Sequence, residues 1–238
     1  MDFCKKKRSV DEEAVAEEFG RKWIRTALDT TTRLIICFLV GNRTFDDARS
    51  FLKSLLASAK NTPLFVSDEL PHYADGLKEL FHTLVGPELS GQRGRPKTTE
   101  KIVDSQLDYA TVHKIRENGR VVKVEKKVIY GSTERIMTKL EDTPSSAINT
   151  AVIERTNLDW RLWDAHLVRK SPTSAKSINW LKAKFIICVA FYDFIRPHES
   201  LSRGIDRKFR PKTPAMAAGI TNSVWTPKKL LSYRILCQ

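Results

Sequence analysis

The apolar and polar positions of this chain fall into short blocks. Residues 23–28 (WIRTAL) and 34–40 (LIICFLV) are apolar runs rich in Ile, Trp and Phe, separated by the polar DTTTR. They predict two strands with a tight connection, the second largely buried because it lacks polar alternation. Thr44 then suits a helix N-cap and Asp46 and Asp47 its first turn, while Phe45, Ala48, Phe51, Leu52, Leu55 and Leu56 recur at three- and four-residue spacing. That spacing predicts an amphipathic helix. PLFVSD (63–68) reads as another buried strand, and Leu77, Leu80, Phe81 and Leu84 as one face of a helix over about 72–85. Strand, strand, helix, strand, helix predicts a mixed sheet with helices packed on it.

Residues 86–101 (GPELSGQRGRPKTTEK) hold three glycines, two prolines and four cations, and read as an exposed basic loop. LDYATVHKIR and VVKVEKKVIYG flank ENGR, where Asn118-Gly119 predicts a two-residue hairpin turn. The alternation at 121–128 places Lys123, Lys126 and Lys127 mainly outward. Val152, Ile153, Leu158, Leu162, Trp163 and Leu167 have helical spacing, and KSPTSAKS restarts the chain with Ser171 or Thr173 as a cap. INWLKAKFIICVAFYDFI (178–195) is apolar almost all round and reads as a buried central helix ending before Arg196-Pro197. Its Lys182, Lys184 and Asp193 argue against a membrane span. The tail is basic and Pro-rich, with a short helix expected at PKKLLSYRI.

Composition adds a partner. The 238 residues, 41% hydrophobic, suffice for a proper core, and a formal charge of +13 points to a polyanion, nucleic acid first. Cysteines 4, 37, 188 and 237 form no C-x-x-C pair and the five histidines no H-E-x-x-H pattern, which argues against zinc. The MDFCKKKRSV start has no signal-peptide core, so a cytoplasmic, nucleoid-associated protein without a membrane partner is expected.

LDTTTRLIICFLVGNRTFDDARSFLKSLL, FVSDELPHY, NTAVIERTNLDWR, LVRKSPTSAKS, FYDFIRPHESL and TPAMAAGITNSVW, in this order, resemble the catalytic part of prokaryotic insertion-sequence transposases of the DDE type. The resemblance runs from about residue 3 to about 230 and implies an α/β, ribonuclease-H-like mixed sheet flanked by helices, with a helical C-terminal part. On that pattern residues 1–170 form the catalytic core, with the basic loop and an inserted β-hairpin at about 86–131, and residues 171–238 pack on it as a C-terminal helix and basic tail.

The implied chemistry is metal-dependent cleavage and transfer of DNA strands. In-line displacement at a phosphodiester uses two divalent ions, and carboxylates are hard ligands suited to Mg2+ or Mn2+. The resemblance assigns Asp68, which closes FVSD, as the second metal-binding carboxylate and Glu154, within VIER, as the third. They lie 154 − 68 = 86 residues apart. It places the first on the strand before Trp23. Asp29, which ends a strand, is one candidate, although its side chain also suits a cap on the TTT turn. Asp2 is the other, with the right strand-face parity but four residues, about 13 Å, displaced along a strand.

The expected aspartate would then lie upstream of Met1, together with the DNA-binding head usual in such enzymes, so a truncated copy is expected. Arg155, Asn157 and Arg161, with Arg169 and Lys170, are candidate contacts to double-stranded DNA phosphates near the metals. The resemblance also implies a homo-oligomer when active. A catalytically inactive DNA-binding remnant is the alternative. The competing reading of Asp68 and Glu154 is purely structural, a strand terminator and a residue suited to a helix N-terminus. Trp160 and Trp163 are expected to serve the core.

Overall fold

The computed structural model describes residues 22–59, 62–85, 100–141, 143–144, 146–168, 173, 175, 177–203 and 208–233. The elements up to the central hairpin are β1 (Trp23–Leu28), β2 (Ile35–Gly41), α1 (Phe45–Ser58), β3 (Leu64–Asp68), α2 (Pro71–Leu80), β4 (His82–Val85), β5 (Glu100–Val103), β6 (Asp108–Glu117) and β7 (Arg120–Tyr130). Then come α3 (Thr133–Glu141), α4 (Ala151–Trp163), a 3-10 turn (Ala165–Leu167), α5 (Ile178–Ala190) and a π-helical segment (Phe191–Ile195). Three short helices, α6 (Glu199–Ser202), α7 (Pro214–Ala217) and α8 (Pro227–Ser232), complete the order. The chain is mixed α/β, with parallel and antiparallel pairing in one sheet.

The described residues divide into two compact units, Thr44–Thr150 and a second made of those up to Arg43 with those from Ala151 on. In the Thr44–Thr150 unit, Thr44 caps α1 as expected, its side chain accepting from the Asp47 N–H, and Ala48, Phe51, Leu52 and Leu55 are buried. α1 meets α2 closely: a Cβ on Gly76 would lie 2.8 Å from Leu52 Cδ1, so the absence of a side chain sets their approach. The main sheet runs β3-β6-β7, with β3 and β6 parallel and β6 and β7 antiparallel. The expected hairpin forms at Asn118 (φ 49°) and Gly119 (φ 81°), two positive φ values that define a type I′ turn. Its first strand is the middle strand of the sheet, so the hairpin supplies the sheet's centre. Ile136 and Leu140 of α3, with Ile148, cover Leu64, Val66, Ala110, Val112 and Val128.

The helix expected over 72–85 stops at Leu80. Residues 82–85 instead pair antiparallel with 100–103, a strand that the basic-loop reading did not anticipate. A four-residue segment such as HTLV is too short for its periodicity to separate helix from strand, and pairing with residues 100–103 decided it. The basic loop itself, at 86–99, lies outside the described residues.

In the second unit, β1 and β2 pair antiparallel over Trp23↔Gly41 to Leu28↔Ile35. Ile35, Val40, Trp160, Leu167, Ala175, Leu181, Phe185 and Tyr192 form its core. Trp160 is 3% exposed, and its ring centroid lies 5.4 Å from that of Trp163, 5.3 Å from Phe185 and 5.2 Å from Tyr192. Both Trp160 and Trp163 thus serve packing, as expected. α5 differs from the expected all-round burial. Leu181 and Phe185 face the core, but Trp180, Ile186, Ile187 and Phe191 are exposed, as are Leu158 and Leu162 on α4. Its N-cap is Ser177, whose hydroxyl accepts from the Asn179 N–H, and not Ser171 or Thr173. Among the described residues no helix is long and apolar enough to cross a membrane.

Candidate functional site

Alternation along paired strands sorts the Thr44–Thr150 sheet into two faces. One carries Leu64, Val66 and Asp68 of β3, opposite Asp108, Ala110 and Val112 of β6; Val112 in turn faces Lys126 of β7. Asp68, Val112 and Lys126 therefore form one row across three strands. The other face carries Phe65, Ser67 and Glu69, with Tyr109, Thr111 and His113. Asp68 is exposed at the carboxyl end of β3, where β3 runs parallel to β6 and α2 begins three residues later. Carboxyl ends of parallel strands are where open α/β sheets bind ligands, because chain reversals there leave a crevice.

Neighbouring groups are tied to one another. Ser67 Oγ donates to the Asp68 carbonyl at 2.6 Å and lies 2.8 Å from the Tyr109 hydroxyl. Glu69, beside Asp68 but on the opposite face, is held by His113 Nδ1 at 2.6 Å and Lys127 Nζ at 3.4 Å. His113 stands 113 − 69 = 44 positions from Glu69 in the chain, and strand pairing alone brings it there.

The same sheet contains a closed ionic cluster that the sequence did not reveal. Asp108, fully buried, accepts from Arg135 Nε at 2.8 and 2.9 Å and from Lys139 Nζ at 2.8 Å. Burial by itself would raise its pKa, but hydrogen bonds and charge from Arg135 and Lys139 outweigh it and hold the carboxyl below its ordinary value. Gly131 (φ 93°) closes over it, and a Cβ there would overlap the Asp108 carboxylate. A signal was present: Arg135 and Lys139 stand four apart on one helix face, matched to one buried acid.

In the second unit, Glu154 is exposed in the first turn of α4, and Arg155 is exposed beside it. Asn157 and Arg161, three and seven residues beyond Glu154, are half-buried, while Thr156 and Trp160 turn to the core. Asp29 spends both carboxylate oxygens on its own turn: Oδ1 accepts from Thr31 N–H at 3.1 Å and Oδ2 from Thr32 N–H at 3.1 Å and from the Thr32 hydroxyl. Asp2, Arg169 and Lys170 lie outside the described residues. Asp68 belongs to one unit and Glu154 to the other. Among the described residues no group of three or more His, Cys, Asp and Glu side chains is gathered for a metal ion.

Two further buried carboxylates fix this second unit. Asp164 Oδ1 accepts from Lys184 Nζ at 2.6 Å, from the His166 N–H at 2.9 Å, and lies 3.0 Å from His166 Nδ1. Burial works to raise its pKa, yet Lys184 and His166 bring it below the ordinary carboxylate value. Asp193, in the π-helical segment, accepts from the Ile35 N–H at 3.1 Å, joining that segment to β2. Its burial dominates, and its pKa is pushed up to about 7. Nearby, Arg196 lies over the Trp163 ring at 4.4 Å and 3.4 Å from Asp159. Burial, then the charges of Arg33 and Arg196, lower the pKa of His198.

The chain matches no model of a known protein family, no curated protein and no solved structure.

Proposed function

We propose that this chain is a DDE-type DNA transposase with a ribonuclease-H-like core, acting in the cleavage and transfer of DNA strands of an insertion sequence. The observation that carries the proposal is Asp68, an exposed carboxylate at the carboxyl end of a parallel strand. Glu154, exposed in the first turn of α4, is the second carboxylate assigned to the same chemistry. Both offer hard oxygen donors of the kind Mg2+ or Mn2+ takes. A divalent ion held by such a carboxylate would supply the positive charge that an in-line displacement at a phosphodiester needs on its attacking or leaving oxygen. Arg155, Asn157 and Arg161 are assigned to holding the flanking phosphates, and the +13 charge supplies long-range attraction for double-stranded DNA. The active form is proposed to be a homo-oligomer at the nucleoid.

The test is a nicking and joining assay on supercoiled and linear duplex DNA with Mg2+ or Mn2+. Metal-dependent products are expected from the native chain and none from Asp68→Ala or Glu154→Ala. Products persisting in both variants reject the assignment. A second reading, a DNA-binding remnant without catalysis, is supported by Asp29, whose carboxylate is engaged in its own turn and so is a poor first metal ligand. It predicts salt-sensitive DNA binding with no metal-dependent product.

A further inference from the structure

β3 pairs with β6 from Leu64↔Asp108 to Asp68↔Val112, so among the described residues β6 from His113 on and β7 up to Glu125 pair with each other alone. This outer half is a two-stranded ribbon of His113–Glu117 and Arg120–Glu125, exposed along nearly all of β7.

The two faces of the ribbon differ in charge. On the face shared with Glu69, Lys123 Nζ meets Glu125 at 2.8 Å and Lys127 meets Glu69 at 3.4 Å. His113 also meets Glu69 there, and Glu117 stands opposite Arg120. Its positive charge is balanced by acids. The face shared with Asp68 carries Lys126 and Arg116, opposite Val112 and Val121. Asp68 ends the row of Lys126, on the far side of Val112; on β6 and β7 themselves no acid stands in these two rows, and Arg116 and Lys126 are exposed. Val121 and Val124, 44% and 47% exposed, leave the same surface apolar between its cations.

We infer that this face of the β6–β7 hairpin, through Arg116 on the ribbon and Lys126 just inside it on the three-stranded sheet, binds the phosphate backbone of duplex DNA. The inference rests on the proposed DNA-processing function and assigns it a contact surface. Unbalanced exposed cations gain affinity for a polyphosphate by releasing its counterions, whereas cations already paired with acids gain little. A two-stranded ribbon is also narrow enough for the major groove. Lys126 shares a row with Asp68, two strands or about 10 Å away. DNA held along Arg116 and Lys126 therefore runs toward the carboxylate assigned to catalysis.

The experiment compares the full chain with two double variants that remove equal charge from opposite faces. These are Arg116→Gln with Lys126→Gln, and Arg120→Gln with Lys123→Gln. Each is titrated against a fluorescent random-sequence duplex at several salt concentrations, with circular dichroism confirming the fold. The first pair is expected to weaken binding about tenfold at moderate salt and to reduce the slope of log K against log salt by about two, one for each phosphate no longer neutralised. The second pair is expected to stay within about threefold of the native chain. Equal losses in both pairs, or none in either, overturn the inference while native binding and nicking leave the proposed function standing. A native chain that does not bind duplex overturns both.

Discussion

Asp108 and Asp193 are each buried in a different unit, and their carboxyls are displaced in opposite directions. In the Thr44–Thr150 unit, Arg135 and Lys139 donate to Asp108, and its pKa falls despite burial. In the other unit, Asp193 has the Ile35 N–H as its partner, and burial prevails. Desolvation penalises both charges, and at Asp108 the two cations within hydrogen-bonding distance outweigh it. The first unit locks its sheet with an ion cluster around an aliphatic core. The second has its own ion pair at a buried carboxylate, Asp164 with Lys184, but also packed rings and a carboxyl, Asp193, whose burial outweighs its backbone hydrogen bond.

The comparison is most severely tested by removing the rings. Trp160→Ala is expected to destabilise the second unit by about 3–5 kcal/mol through lost burial and a cavity among Trp163, Phe185 and Tyr192. Denaturant titration followed by tryptophan emission reads this directly, since Trp23, Trp160, Trp163, Trp180 and Trp225 all belong to that unit. Trp160→Phe should recover much of the loss.

Asp193→Asn sharpens the electrostatic half. Because the folded pKa is raised to about 7, the native state holds its proton more tightly than the unfolded chain. Stability is therefore lost as pH rises from about 4 through about 7. The Asn variant keeps an acceptor for Ile35 and cannot ionise. It should be more stable than the native chain at pH 8, by up to about 4 kcal/mol, with the gap closing below about pH 4. Melting curves showing a gap independent of pH would refute the assignment.

Asp108→Asn should behave oppositely. With a lowered folded pKa, the native contribution is present above about pH 4 and lost as pH falls through the folded value. The variant should cost about 2–3 kcal/mol at pH 7, less than a wholly buried pair because Arg135 and Lys139 are each about one third exposed, with side-chain values of 34% and 35%. Far-UV circular dichroism follows this loss, since no tryptophan lies in that unit. The smallest effect is expected from Gly119→Ala, about 1 kcal/mol, because the turn needs a positive φ but the added Cβ meets nothing within 4 Å.

Local elements follow from short stretches of the chain. The Thr44 cap, the α1 stripe, the Asn118-Gly119 turn and the β1–β2 hairpin were legible because caps, periodicity and turn residues act over a few positions. The same reasoning put Asp68 at a strand end and Glu154 in a first helical turn, and it read Asp29 as a turn cap alongside its candidacy as a ligand. It overestimated burial in α5, because an apolar run records which side chains tolerate burial and not which find a partner. Residues 81–85 went astray for a related reason: so short a segment fits either period until a pairing partner is known. Folding in three dimensions set the rest: β6 lies between β3 and β7, Asp108 faces two cations, and Lys126 shares a row with Asp68 while Lys127 turns to Glu69. Those facts depend on register across strands distant in sequence, where a shift of one residue sends every side chain to the opposite face, and no local pattern encodes it.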